Sequence, residues 1–247
     1  MEQPSADAIF ALEGIAFAYP AAQGGCEVLR DLDFSLAPGQ RIGLYGPNGS
    51  GKTTLLRCIT GLCRLSAGKV LFHGVPVEDE EGFHRLRCAV GYVLQSADDQ
   101  LFFPTVLEDV AFGPLNLGMG ADEARDCALD TLRSLGMESF ADRLTHRLSG
   151  GEKKMASLAA VLAMKPEALL LDEPTGGLDM ASQDRLCELL KSLDVARVTI
   201  SHDWDFLAEV SDAFCTIQDK AVSWTSPLVP HAHRHAHPGG ASPHSHA

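Results

Sequence analysis

Gly46-Pro47-Asn48-Gly49-Ser50-Gly51-Lys52-Thr53 has the spacing GxxxxGK[ST]. Glycines at these places let the backbone curl so that several N–H groups converge on one phosphate, and a following helix adds the positive end of its dipole. Lys52 can reach the outer phosphates of a nucleotide and Thr53 can ligate magnesium. Far along the chain, Leu169-Leu170-Leu171-Asp172-Glu173 is an apolar run ending in two acids. An acid at that place, Asp172, can hold magnesium through its water shell, and Glu173 can orient and polarise an attacking water. A third group, Leu148-Ser149-Gly150-Gly151-Glu152, places a helix-capping serine before two glycines whose backbone donors are bare. One nucleotide does not need two anion cradles on one subunit. A head-to-tail dimer could use the loop of one subunit and the capped helix of the other.

The elements that must position these residues follow from periodicity. Alternation over Ile9 to Tyr19 and Leu32 to Leu36 predicts antiparallel strands. The turn Pro38-Gly39-Gln40 then leads into the buried strand Ile42 to Tyr45, immediately before the glycine-rich loop. A helix is expected from about Lys52, with strands at Lys69 to Phe72 and Ala89 to Leu94. A mostly helical middle follows: Val106 to Ala111, Ala121 to Leu135, and a helix beginning near Gly150. Strands at Ala168 to Leu171, Val198 to Ser201 and Phe214 to Gln218 alternate with helices at Ala181 to Leu193 and Asp203 to Val210. That alternation predicts an α/β core with a largely parallel sheet into which the helical middle is inserted.

Composition narrows the partners. The chain has 33 Asp plus Glu against 20 Lys plus Arg, a net charge of −13, which argues against nucleic acid because phosphate binding needs a basic footprint. With 45% hydrophobic and 21% charged residues it has ordinary globular composition, long enough to bury a sizeable core. No apolar run reaches the roughly 18 to 20 residues that cross a bilayer, and Glu2 and Asp7 stand where a signal peptide would be basic. The seven cysteines are an odd number without a CxxC pair, which fits reduced thiols in a reducing cytoplasm.

The order of these elements resembles the ATP-binding cassette family over nearly all of residues 8 to 220. Gly46 to Thr54 match its phosphate-binding loop, so Thr54 joins the nucleotide contacts. Leu148 to Glu152 match its signature, Asp172 and Glu173 its acidic pair, and Gly177-Leu178-Asp179 its dimer-contact loop. The resemblance further implies that Tyr19 stacks on adenine. It implies that Gln95 links magnesium and water to the transport partner, and that His202, in Ser201-His202-Asp203, touches the terminal phosphate. A lone tyrosine packing on the core, or a satisfied structural histidine, is the ordinary alternative at these positions. The implied fold is a P-loop NTPase core of the RecA type with an antiparallel β subdomain. A helical subdomain over about 96–160 completes a nucleotide-binding domain of residues 1–224. ATP and magnesium are the implied ligands, bound by Lys52, Thr53, Asp172, Glu173, Gln95 and His202 of one subunit and by Ser149, Gly150 and Gly151 of the other.

Within the family, Gln95 to Phe102 followed by Thr105 to Pro114 looks like the energy-coupling factor ATPases, which import vitamins, cobalt or nickel. Glu152 stands where glutamine is frequent, and Lys153-Lys154-Met155 where arginines often stand, changes expected to alter phosphate-side contacts and rate. From Thr225 the composition turns to Pro, His, Ala, Gly and Ser, predicting a flexible tail over 225–247. It carries His231, His233, His235, His237, His244 and His246, six of the ten histidines. Neutral imidazoles bind nickel, cobalt, copper and zinc, although a solvated low-complexity tail has the same composition. The resulting expectation is an ATPase on the cytoplasmic face of the cell membrane, a homodimer or a dimer with a paralogue. It would act with integral membrane subunits to import cobalt or nickel. A vitamin importer, or less favourably a soluble cassette ATPase, is the alternative.

Overall fold

Residues 7–20 and 25–225 are described by the computed structural model, which divides them between two sheets and two groups of helices. The alternating N-terminal segment forms β1 (Phe10–Ala18), paired antiparallel with β2 (Glu27–Leu36) and with β4 (Ala67–Phe72); β5 (Val75–Val77) completes this four-stranded sheet. Its apolar side packs Phe10, Leu12, Ile15, Leu32 and Leu36 into the main core.

The second sheet has the order β10-β9-β3-β8-β7-β6, where β3 is Arg41–Tyr45, β6 Val90–Val93, β7 Ala168–Asp172, β8 Ala196–Ile200, β9 Ala213–Gln218 and β10 Ala221–Thr225. Its strands run parallel except for the antiparallel β10. β7 and β8 are buried at every position, as strands covered on both faces must be. The strands whose carboxyl ends carry the candidate chemistry, β3, β7 and β8, are therefore central neighbours. Such ends are where α/β sheets bind ligands.

Helix α1 (Lys52–Ile59) follows β3, and α2 (Glu80–Ala89) precedes β6. Between β6 and β7 lie α3 (Val106–Asn116), α4 (Ala121–Ser134) and α5 (Gly150–Leu162), which share an apolar cluster built on Val106, Val110, Ala128, Leu132, Ala156 and Ala159. α5 also reaches the core sheet. It crosses β6 at Gly91, where a Cβ would lie 2.2 Å from Val161 Cγ1, so only glycine admits the helix this closely. Helix α1 covers the opposite face of the sheet, whereas α6 (Met180–Ser192) and α7 (Trp204–Val210) pack beside α5 on the same face, where Leu158, Leu169, Leu171, Leu186 and Phe206 form one cluster. Arg197, fully buried in β8, joins them: its guanidinium donates twice to Val210 O, at 2.8 and 3.1 Å, and to Leu193 O at 3.4 Å. The last carbonyls of both helices, orphaned by the end of the i→i−4 ladder, thereby find donors.

Several elements exceed the sequence expectation. β2 begins at Glu27 rather than Leu32, and β5 and α2 were not anticipated. β10 runs through Thr225, whose hydroxyl donates to Phe214 O at 3.1 Å, so the residue expected to open the tail is the last of a strand. The six tail histidines, His231 to His246, lie outside the described residues.

Candidate functional site

The glycine-rich loop is shaped by its own lysine. Lys52, buried at the start of α1, donates from Nζ to Gly46 O at 2.8 Å and Pro47 O at 2.9 Å, drawing the loop around the ammonium. Burial lowers its pKa while the charges of Glu173 and Asp172 oppose the shift. Gly46 and Gly51 have φ of +137° and +106°, conformations that L side chains rarely adopt. At Gly51 a Cβ would also lie 2.9 Å from Val28 Cγ1.

Helix α1 begins without a side-chain cap. Asp79, Thr105, Ser149, Asp179 and Asp203 each cap α2, α3, α5, α6 and α7 with a side-chain oxygen, whereas α1, which starts after Gly51, and α4, which starts after Gly120, have none; of these two, only the start of α1 opens into the cleft of the glycine-rich loop. The first N–H groups of α1 are thus left to an external anion. Ser50 Oγ, buried in the same loop, has no hydrogen-bond partner.

Opposite the loop, Asp172 ends β7 with 1% of its surface exposed. Thr53 Oγ1 donates to its Oδ1 and Tyr92 OH to its Oδ2, both at 3.2 Å. Burial raises the Asp172 pKa, while these two hydroxyls and the charges of Arg57 and Lys154 pull it down. The Thr53 hydroxyl and the Asp172 carboxylate are the hard oxygen donors that magnesium prefers, so the residues present fit that ion.

Glu173 follows with φ +49°, a left-handed backbone rarely taken by a residue with a side chain. It turns the carboxylate off the strand line into the cleft. Oε2 accepts from the His202 backbone N–H at 3.3 Å. Oε1 is buried and has no hydrogen-bond donor: His202 Nε2 is 3.2 Å away but bonds Asn48 Oδ1 at 2.8 Å. A buried carboxylate oxygen open on one side is what a general base needs toward water.

Tyr19, Asn48, Gly49, Gly51, Lys52, Thr53, Thr54, Gln95, Asp172, Glu173 and His202 line one cleft of about 210 Å³. Chain segments from both sheets thus converge there, and Gln95 and His202 enter from the ends of β6 and β8. Tyr19 stands at the edge, its hydroxyl 3.1 Å from Thr54 Oγ1 and its ring edge-on to Phe17 at 5.0 Å.

Ser149, Gly150 and Gly151 are not part of that cleft. Gly151 lines a separate groove of about 580 Å³, bounded by Met137 and Phe140 on one side and by Arg185 and Leu189 of α6 on the other. Ser149 forms a capping box: its Oγ accepts from Glu152 N at 3.3 Å, and Glu152 Oε2 accepts from Ser149 N at 2.7 Å. The Ser149 N–H is therefore taken by Glu152, a use that bare donors at the helix start did not anticipate. The lysines after it bond within the chain. Lys153 Nζ reaches Asp98 Oδ1 at 2.5 Å, and Lys154 Nζ reaches Gln95 O at 2.5 Å and Glu173 O at 3.0 Å.

Tyr92, Asn48's grip on His202 and Lys154 were missed as features of the site. Tyr92 had one usable signal, its place in the predicted strand three residues before Gln95. Among the described residues no cluster of three or more His, Cys, Asp or Glu side chains could hold a metal ion, and no helix is long and apolar enough to cross a membrane.

Comparison with known proteins points the same way. The family model described as ABC transporter matches residues 29–176. A Nitratidesulfovibrio vulgaris protein, provisionally named an ABC transporter ATP-binding protein with no substrate stated, is 50% identical over 100% of this chain and 89% of its own length. The cobalt import ATP-binding protein CbiO of Rhodobacter capsulatus is 43% identical over 83% of this chain and 73% of its own. Among solved structures, CbiO1 of Clostridium perfringens, described as part of the ABC transporter complex CbiONQ, superposes with a TM-score of 0.76 at 33% identity, over 88% of this chain and 87% of that one.

Proposed function

This chain belongs to the ABC transporter family and is an ATPase, and from that premise we propose that it powers uptake of a transition metal ion, cobalt or nickel, as the ATP-hydrolysing subunit of a membrane importer. The observation that carries the ATP-hydrolysing part of this reading is the cleft itself, where an uncapped helix start, a buried lysine and two strand-end acids face one another. Lys52 and the backbone of Gly46 to Thr54 bind the phosphates, and Tyr19 stacks on the adenine. Thr53, Gln95 and Asp172 would hold magnesium, which when bound would neutralise charge on the phosphate oxygens. Glu173 Oε1 takes a hydrogen bond from the attacking water and orients it. His202 contacts the terminal phosphate from the position in which Asn48 now holds it.

Ser149 to Gly151 stand outside their own subunit's cleft, which supports their use by a second ATPase subunit, an identical copy or a paralogue. ATP would then close the pair and hydrolysis reopen it, moving the helical unit against integral membrane subunits at the cytoplasmic face. The name of the Rhodobacter capsulatus relative and the histidine-rich sequence from His231 to His246 support a metal cargo, the latter by its imidazoles. The test is the nickel and cobalt content of cells grown under limiting metal, with the parent protein or with Lys52→Ala. A selective fall in one metal with Lys52→Ala is expected. Unchanged content of both, with the protein expressed at the membrane, would reject the metal cargo.

A further inference from the structure

Lys154 is a buried lysine, 8% exposed, on the helix that starts with the signature residues. It is absent from the lining of the nucleotide cleft. Its ammonium nevertheless reaches the backs of two residues in that cleft, donating to Gln95 O at 2.5 Å and to Glu173 O at 3.0 Å. The second acceptor matters because the Glu173 backbone is strained. A non-glycine residue at φ +49° costs about 1–2 kcal/mol, and persists only when its surroundings hold it. Three bonds do so here. The Glu173 N–H donates to Ile200 O at 3.0 Å, while its carbonyl accepts from Gly176 N at 3.1 Å and from Lys154. Of these, the Lys154 bond alone comes from α5.

The same helix grips the segment around Gln95 at two further places. Lys153 pairs with Asp98, and Gln100 donates to Ser157 O at 3.3 Å while its Oε1 accepts from Leu94 N at 3.0 Å. Burial lowers the Lys154 pKa, and the charges of Asp172 and Glu173 oppose the shift.

We propose that Lys154 is a positioning residue for ATP hydrolysis: its ammonium ties the helix that begins at Ser149–Gly151 to the carbonyls of Gln95 and Glu173, so that the water-orienting carboxylate and the glutamine are set by the position of that helix. The proposal rests on the reading of Glu173 as the base.

Lys154→Met keeps the apolar stem and removes the donors; Lys154→Arg keeps charge and donors. With the full chain, Lys154→Met should lose about ten- to a hundredfold in kcat, the range that a small misplacement of a catalytic group produces. The ATP dissociation constant should stay within about twofold because Lys52, not Lys154, faces the phosphates, and Lys154→Arg should recover most of the rate. Wild-type kcat in Lys154→Met, or a loss of ATP affinity as large as the loss of kcat, would overturn the proposal. If Lys154→Met does not fold, Lys154→Leu, which also lacks donors, is read in its place: reduced kcat at unchanged affinity supports the role and wild-type kcat refutes it. Glu173→Gln run beside them separates the two readings. Full turnover there removes Glu173 as the base, whereas an inactive Glu173→Gln beside a fully active Lys154→Met removes only Lys154.

Discussion

Replacing Tyr19 by alanine isolates the base-binding part of the cleft from its phosphate-binding part. The ring is fixed on two sides, by the edge contact with Phe17 and by the hydroxyl on Thr54, and its backbone N–H donates to Cys26 O at 3.0 Å. It is thus preorganised, and little ordering entropy opposes stacking. Stacking of a base on an aromatic side chain contributes about 1–3 kcal/mol. At about 1.36 kcal/mol per decade, Tyr19→Ala should weaken nucleotide binding by roughly five- to 150-fold. Tyr19→Phe keeps the ring and loses only one half-buried hydroxyl bond, worth about 1 kcal/mol, so it should weaken binding by about fivefold at most. Titration calorimetry with ADP, which avoids turnover, measures both. GDP should shift by a similar factor because stacking needs only a flat ring, and pyrophosphate should not shift. ADP affinity unchanged in Tyr19→Ala would refute the stacking role. A parallel loss of pyrophosphate would show instead that the tyrosine holds the loop through Thr54.

Asp172→Asn should raise the Tm of the nucleotide-free protein at pH 7 while abolishing magnesium-dependent turnover. The sign follows from a folded pKa above the ordinary 3.8: ionised Asp172 costs the folded state stability at neutral pH, and the cost disappears as pH falls below that value, so the gain in Tm should shrink toward pH 4. A lower Tm at pH 7 would contradict it. Gly51→Ala should bind pyrophosphate far more weakly than the parent, since φ +106° and the Val28 contact force the loop to move; unchanged binding by calorimetry would show that the loop tolerates the shift. Arg197→Met leaves the ends of α6 and α7 without donors and should cost about 3 kcal/mol. That is a fall of about 6–12 °C in Tm for a chain of this size, and scanning calorimetry would refute it with a fall under about 2 °C. Burial pushes the Cys58 and Cys215 thiols up to about 12, so under iodoacetamide the exposed Cys26 should be modified first, as peptide mass spectrometry would show.

The phosphate loop, the acidic strand end and the capped signature helix were legible because each is a local pattern with one conformation that suits it. α2 was not, since its sequence EEGFHRLRCA buries only Gly82 and Leu86 and gives almost no apolar stripe. The cap at Asp79 and the early acids Glu80 and Glu81 were its readable signals. β5 is three residues with Pro76 at its centre, and β10 is a short edge strand; both owe their conformation to the strand beside them. In the site, the sequence marks Lys154 only as a departure from the signature wording that would alter phosphate-side contacts. Its partners are carbonyls fixed by φ values and strand register, which no side-chain pattern encodes. The same holds for Tyr92, whose partner Asp172 lies on the neighbouring strand.

The strand that delivers the phosphate loop is flanked on one side by β8 and on the other by β9: Ile42 lies opposite Val198 and Ala213. Both partners are made only after the helical middle has been synthesised. During translation β3 therefore waits with two open edges while most of the chain emerges, and the nucleotide cleft is completed among the last events of folding. Chains shortened before about residue 200 would retain the loop sequence with no sheet to hold it. ATP, by binding where β3, β7 and β8 lie side by side, would act late in folding, drawing full-length chains toward the folded state by mass action.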